Sequence, residues 1–210
     1  MLWKWKLAGI PSKGSVLKVS RFELLDCVVA RAPREGLWLE FGVWRGESLN
    51  CIARTGNHKV YGFDSFQGMP ERWEPWVGVG FFSTHGKQPP VDARAELVPG
   101  WFDQTLPKFL ASRPNEVVSF LHIDCDLYSS ARSVLQLLGR SMRSGTILVF
   151  DEFCSWWVPD DEARAWREFC RADAVEFRCL GCSLDGSVAL EITATDAGQS
   201  SLTLSERTIV

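Results

Sequence analysis

LWLEFGVWRGES, residues 37–48, decides how the chain is read. Its first five residues are apolar except for Glu40, Gly42 and Gly46 bracket a turn, and Glu47-Ser48 opens a segment that reads as a helix. A strand, a glycine turn and a helix can cradle a phosphate, but the same geometry can hold a cofactor without one. A dinucleotide fingerprint needs glycine at the first, third and sixth positions of this turn. Counted from Gly42, those later positions are Trp44 and Glu47, a bulky ring and a carboxylate where a pyrophosphate would lie. An NAD-type oxidoreductase is therefore the weaker reading of the turn.

Working outward, apolar runs rich in β-branched residues predict strands at 37–41, 59–64, 95–98, 118–124 and 146–150, with helices at 19–32, 46–55, 129–143 and 160–172. This alternation predicts a mostly parallel sheet covered by helices. Segments 175–180 and 187–193 flank Leu184-Asp185-Gly186 and read as a hairpin, placing an antiparallel strand at the end of the sheet. The fold expected is a doubly wound, Rossmann-like α/β domain over 1–210. Its N-terminal 1–36 forms a helical or lid segment, and 195–210 is a polar tail, either frayed or paired with a neighbour. Residues 66–94, dense in Gly, Pro and aromatics, are too long for a simple connection and read as a substrate loop.

In such sheets ligands bind outside the carboxyl ends of the strands. Acids crowd those ends here: Glu40 on the first strand, Asp64 on the second, Asp124 and Asp126 after the fourth, and Asp151 and Glu152 after the fifth. Asp64 lies 22 residues beyond Gly42, near the offset at which a second strand presents its acid to ribose hydroxyls. A shared acidic crevice suits a nucleoside with a cationic amino-acid end, so S-adenosylmethionine fits better than NAD. A protein that binds it without turnover is the further alternative.

A net charge of −3 gives no broad attraction to nucleic acid or to an anionic membrane, and no apolar run reaches the length of a spanning helix. Seven cysteines, an odd number scattered through a chain of 210 residues, imply reduced thiols in a cytoplasmic protein. Cys179-Leu180-Gly181-Cys182 lies on a late strand with no second pair, a poor zinc or redox motif. The DDEARAWREFCR helix reads as simply amphipathic.

LEFGVWRGESL, YGFDSFQGMPERW, LVPGWFDQTLPKFL, FLHIDCDLYSSA and GTILVFDEF occur in this order between residues 39 and 153. In these stretches the chain resembles the macrocin O-methyltransferase family of class I S-adenosylmethionine-dependent methyltransferases, which act on sugar hydroxyls in natural-product biosynthesis. The resemblance implies that Glu40, Phe41 and Gly42 line the methionine end of the cofactor and that Asp64 and Ser65 hold the ribose. It implies that Gly100, Trp101 and Phe102 approach the adenine, and that Asp124, Asp151 and Glu152 bind a divalent metal, normally Mg2+. Glu152 departs from the family's usual Asp by one methylene. The partner implied is a small-molecule hydroxyl acceptor, with a homo-oligomer left open.

Methyl transfer to a hydroxyl needs its proton removed. Asp126 is either the general base or an extra metal ligand, or else a cap for the helix near Ser129. His85 is either a base brought in by the loop or a solvated loop residue. His122, alternating in the fourth strand, reads as a satisfied core residue. Trp73, Trp76, Trp101, Trp156 and Trp157 fall where an aromatic rim for the acceptor would be.

Overall fold

The structure, a computed structural model, describes residues 19–155 and 158–195. Strands β1 (Leu37–Phe41), β2 (Val60–Asp64), β3 (Ala95–Pro99), β4 (Val118–Ile123), β5 (Met142–Phe150), β6 (Glu176–Cys182) and β7 (Val188–Ala194) form a seven-stranded sheet in the order β3-β2-β1-β4-β5-β7-β6. The first five are parallel; β7 runs antiparallel to β5, and β6 pairs antiparallel with β7 at the edge. This is the expected Rossmann-like architecture with its C-terminal hairpin.

Strand alternation builds two cores. Leu37, Leu39, Phe41, Leu121, Ile123, Leu148 and Phe150 face α3 (Phe102–Ala111), α4 (Tyr128–Leu138) and α5 (Asp161–Ala172). Trp38, Phe120, Ile147 and Val149 face α1 (Arg21–Val29) and α2 (Glu47–Gly56). With both faces covered, the central strands β1 and β4 are buried along their whole length, which is why they read as nearly continuous apolar runs, whereas β3 at the sheet edge is not buried.

Four elements differ clearly from expectation. Helix α3 was not anticipated, because Pro107 lies inside it and removes one helical donor; a stripe of Leu106 and Phe109 buried against the sheet offsets that loss. Helix α4 ends at Leu138 and passes through a 3₁₀ turn, Gly139–Ser141, and β5 begins early at Met142 because Met142 pairs with Val118. Helix α1 is shorter than 19–32 and starts on a capping box: Ser20 Oγ accepts from the Glu23 amide while Glu23 takes the Ser20 amide. Ser20→Ala should cost about 1 kcal/mol, read as a shift of the urea midpoint at unchanged slope.

The β6–β7 hairpin holds α1 over the sheet. Leu184 donates to the Val19 carbonyl and the Arg21 amide to Asp185 Oδ2, at 3.1 and 3.2 Å. This anchoring sets where the Arg21 side chain falls. The expected N-terminal segment before residue 19, the tail beyond 195, and Trp156 and Trp157 lie outside the described residues.

Candidate active site

A crevice of about 500 Å³ opens at the carboxyl ends of β1, β2, β4 and β5. The turn after β1 forms one wall. Gly42 has φ +93°, and a Cβ built there would sit 1.7 Å from the Asp124 carbonyl oxygen, so the β1 and β4 ends approach as closely as only glycine allows. The turn is held from the side by Asp64. One carboxylate oxygen accepts from the Val43 and Trp44 amides, each at 2.8 Å, and the other from the Phe66 amide at 2.7 Å. Asp64 therefore organises backbone on both sides of the crevice as well as lining it. Trp44, left-handed at φ +47°, and Glu47 in the first turn of α2 both line the crevice, where a phosphate would need open amides and no negative charge.

Opposite stand the acids after β4 and β5. Asp124, Asp126, Asp151 and Glu152 all line the crevice. Arg21 joins them, its Nη1 2.7 Å from Asp151 Oδ2 and 3.7 Å from Asp124 Oδ2. Ser187 donates to Asp151 Oδ1 at 3.1 Å. Beneath them Glu162 of α5 is fully buried and ties the two acid loops together, accepting from the Cys125 amide at 3.3 Å and the Glu152 amide at 3.1 Å.

One guanidinium does not neutralise so many carboxylates, and their proton affinities show it. Burial first, then Asp151 and Asp126, push Asp124 well above the carboxylate range, with Arg21 opposing. Burial, then Glu152 and Asp151, push Asp126 up to about 7. Burial, then Asp126 and Asp151, raise Glu162, opposed by the two amides it accepts from. Glu152 is raised by burial, and its Oε2 is buried without a hydrogen-bond partner. A hard divalent cation with oxygen ligands fits this donor set, since it would relieve the repulsion that these shifts express.

The remaining expected site residues divide. Gly42, Ser65, Trp101 and Phe102 line the crevice with Asp64. Glu40 and Phe41 do not line it: both are completely buried behind the wall, Glu40 against His122 and Phe41 stacked on Phe63 at 4.7 Å. Gly100 also stays behind it, its amide donating to the Asp64 carbonyl at 2.9 Å. His85 is exposed on the 66–94 loop, away from the crevice lining.

Asp126 does not cap α4, whose N-cap is Leu127 with no side-chain bond. It does not continue the strand either; it adopts φ +60°, and this left-handed step turns it toward the acids. The aromatic rim is only partly as expected. Trp101 lines the crevice, Trp73 packs against Met69, Val77 and Leu127, and Trp76 is 74% exposed. Trp44 and Phe82, in edge contact at 5.4 Å, line the crevice in their place. The 66–94 loop carries Phe82 there through a backbone clamp in which the Gly80 amide donates to the Met69 carbonyl and the Met69 amide to the Phe81 carbonyl, each at 2.9 Å.

Sequence reasoning missed Arg21 and Glu162. Nothing local marks Arg21, which comes from the opposite end of the chain. Glu162 had a signal: it falls four residues before Trp166 and seven before Phe169, on the apolar stripe of α5. His122 is a core residue, as read, but only half satisfied: Nδ1 meets Glu40 while Nε2 has no partner. None of the seven cysteines, all of them among the described residues, forms a disulfide. No described helix is long and apolar enough to cross a membrane.

Sheet order and crevice position define a Rossmann-like α/β protein whose ligand crevice lies at the carboxyl ends of the strands. The chain belongs to the methyltransferase-domain family, whose model matches residues 39–153. Among curated proteins it is similar to the 8-demethyl-8-(2,3-dimethoxy-alpha-L-rhamnosyl)-tetracenomycin-C 4'-O-methyltransferase of Streptomyces olivaceus, at 28% identity over 55% of this chain and 52% of that protein. The chain thus spans about half the length of that relative. Among solved structures it is similar to CalS11, a calicheamicin methyltransferase, with TM-score 0.64, 25% identity, and coverage of 81% of this chain and 76% of that one. An O-methyltransferase from Bacillus cereus in complex with SAH shares the fold at TM-score 0.50 and 17% identity, covering 91% of this chain and 88% of that one.

Proposed function

We propose that this chain is an S-adenosylmethionine-dependent O-methyltransferase acting on a hydroxyl of a small molecule, such as a sugar moiety of a natural product, with the aid of a divalent cation. The observation that carries the reading is the single crevice shared by Asp64, beside the β1 turn, and the Asp124–Asp126–Asp151–Glu152 group. The family match, the rhamnosyl substrate in the name of the S. olivaceus relative and the SAH bound by the B. cereus enzyme support it.

In this reading Asp64 takes the ribose hydroxyls while its other lone pairs keep the turn closed. Trp101, Phe102 and, next to them, Asp103 and Gln104 flank the adenine. Glu40 acts from behind the wall, through His122, rather than by touching the methionine end. Asp124, Asp151 and Glu152 would hold the cation, which when bound lowers the pKa of a hydroxyl it contacts. Asp126, lining the same crevice, is placed to accept the acceptor's proton. Trp44 and Phe82 offer an apolar wall to the acceptor, and the crevice fixes its hydroxyl against the methyl group, where proximity supplies much of the acceleration.

Isothermal titration of the full chain should give heat with S-adenosylmethionine and none with NAD; the reverse would overturn the cofactor assignment. With radiolabelled methyl donor and a rhamnosyl-tetracenomycin acceptor, Asp126→Asn should lower kcat by about 10²–10⁴-fold while leaving donor binding intact. Turnover undiminished in that variant would remove Asp126 from the chemistry, and turnover undiminished by exhaustive chelation would remove the cation.

A further inference from the structure

Glu40 and His122 are register partners on β1 and β4, and both are buried, at 0% and 1% exposure. Neither holds the turn or lines the crevice. His122 Nδ1 lies 2.8 Å from Glu40 Oε1. For a neutral ring against an ionised carboxylate, which accepts and does not donate, this contact places the ring proton on Nδ1 and leaves the Nε2 lone pair free. Nε2 is buried and has no hydrogen-bond partner. One ring nitrogen of His122 and one carboxylate oxygen from each of Asp124 and Asp151 lie within 4.8 Å of one another. With Nδ1 engaged, the available donor is Nε2.

We propose that Glu40 and His122 turn the acid crevice into a mixed nitrogen–oxygen site that selects a first-row transition dication, Mn2+ in preference to Mg2+. The inference rests on the reading above in sharing Asp124 and Asp151 as cation ligands, and goes beyond it in naming a fourth ligand, a nitrogen, and the ion. Mg2+ is held by oxygen and keeps its waters; an imidazole adds little to its binding. Imidazole suits the first-row dications best from Fe2+ onward; Mn2+, at the weak end of that series, is the member that also suits the carboxylates of this site. Glu40 behind the ring completes a carboxylate–histidine–metal arrangement, in which the rear carboxylate fixes the tautomer and raises the basicity of the ligating nitrogen. Arg21 is the resident competitor. Its side chain is 33% exposed on the crevice side, so it can swing toward solvent when an ion takes Asp151.

The test uses the metal-free full chain, titrated calorimetrically with MnCl2 and with MgCl2. Mn2+ is the probe because the seven cysteine thiols compete for it far less than for zinc or cobalt. Mn2+ should bind at least about tenfold more tightly than Mg2+, and pulsed EPR of the Mn2+-loaded protein should show nitrogen coupling from a coordinated imidazole. Glu40→Gln should weaken Mn2+ by about 10–100-fold with little change for Mg2+. His122→Asn should abolish the nitrogen coupling and bring the two affinities together. Should His122→Asn fail to fold, the parent spectrum decides: Mn2+ bound without nitrogen coupling overturns the proposal, as does an unchanged preference in a folded His122→Asn. These readouts need neither methyl donor nor acceptor. Loss of the methyltransferase reading would leave them standing, and methyl transfer by a protein whose Mn2+ shows no nitrogen coupling would overturn this inference alone.

Discussion

Gly42→Ala should give a protein that no longer binds S-adenosylmethionine and unfolds at much lower urea than its parent. The added Cβ would meet the Asp124 carbonyl oxygen at 1.7 Å and its carbon at 2.7 Å. Neither partner can retreat cheaply. The Gly42 amide is tied to the Phe63 carbonyl at 3.0 Å and the Asp124 amide to the Phe41 carbonyl at 2.9 Å, so relief requires prying β1 from β4 at the point where both deliver the site. The residue's φ of +93° adds backbone strain of about 1–3 kcal/mol for any residue with a side chain. Together these put the substitution among the exceptional ones, at about 4 kcal/mol or more. Gly46→Ala is the matched control. It also has a positive φ, +79°, but its nearest neighbour is Pro89 Cγ at 3.3 Å, so it should cost about 1 kcal/mol and retain binding. Equal stability of the two variants would mean that the β1–β4 approach is not what shapes the crevice.

How much of this was legible in the sequence depends on where each group's neighbours lie along the chain. Strand ends are marked locally: Asp64, Asp124 and Asp151 each follow apolar residues that the sheet must bury, and topology then brings their ends to one edge. Glu40 shows the limit of that rule. It occupies the last turn of the same strand logic, yet one residue before the end of β1 its side chain points into the α1–α2 face, where only His122 from another strand can satisfy it. Alternation gives the face but not the depth. Arg21 was beyond reach because its position depends on α1 being fastened to the β6–β7 hairpin, more than 160 residues away. Pro107 hid a helix because local propensity argued against it while burial of Leu106 and Phe109 argued for it, and burial prevailed.

The unmet charge of the crevice predicts an unusual pH dependence in the metal-free protein. A carboxyl whose pKa is raised by folding holds its proton at a pH where the unfolded chain has released it, so the folded state binds more protons and stability falls as pH rises. For Asp126 the window runs from its ordinary 3.8 to about 7: its contribution is fully present below the lower value and is lost as pH climbs through the upper. Asp124 and Glu162, raised by the same burial and crowding, act with the same sign. The acids shifted the other way, Asp92 to about 2 and Glu23 and Glu168 below their usual range, act only in more acid solution and so leave the neutral range to the crevice. One unit of lift corresponds to about 1.4 kcal/mol, or about 2–4 °C for a chain of this size. Discounted heavily because the crevice mouth is open to solvent, the Tm in chelator should still fall by about 5 °C between roughly pH 5 and pH 8. Asp126→Asn should flatten part of that slope and raise the Tm at the alkaline end. Saturating Mn2+ should reverse the trend, because a cation that binds only ionised carboxylates stabilises most where they are ionised. A Tm in chelator that holds level or rises over this range would show that the acids are already neutralised by Arg21 alone, and the argument for a cation in the crevice would fail with it.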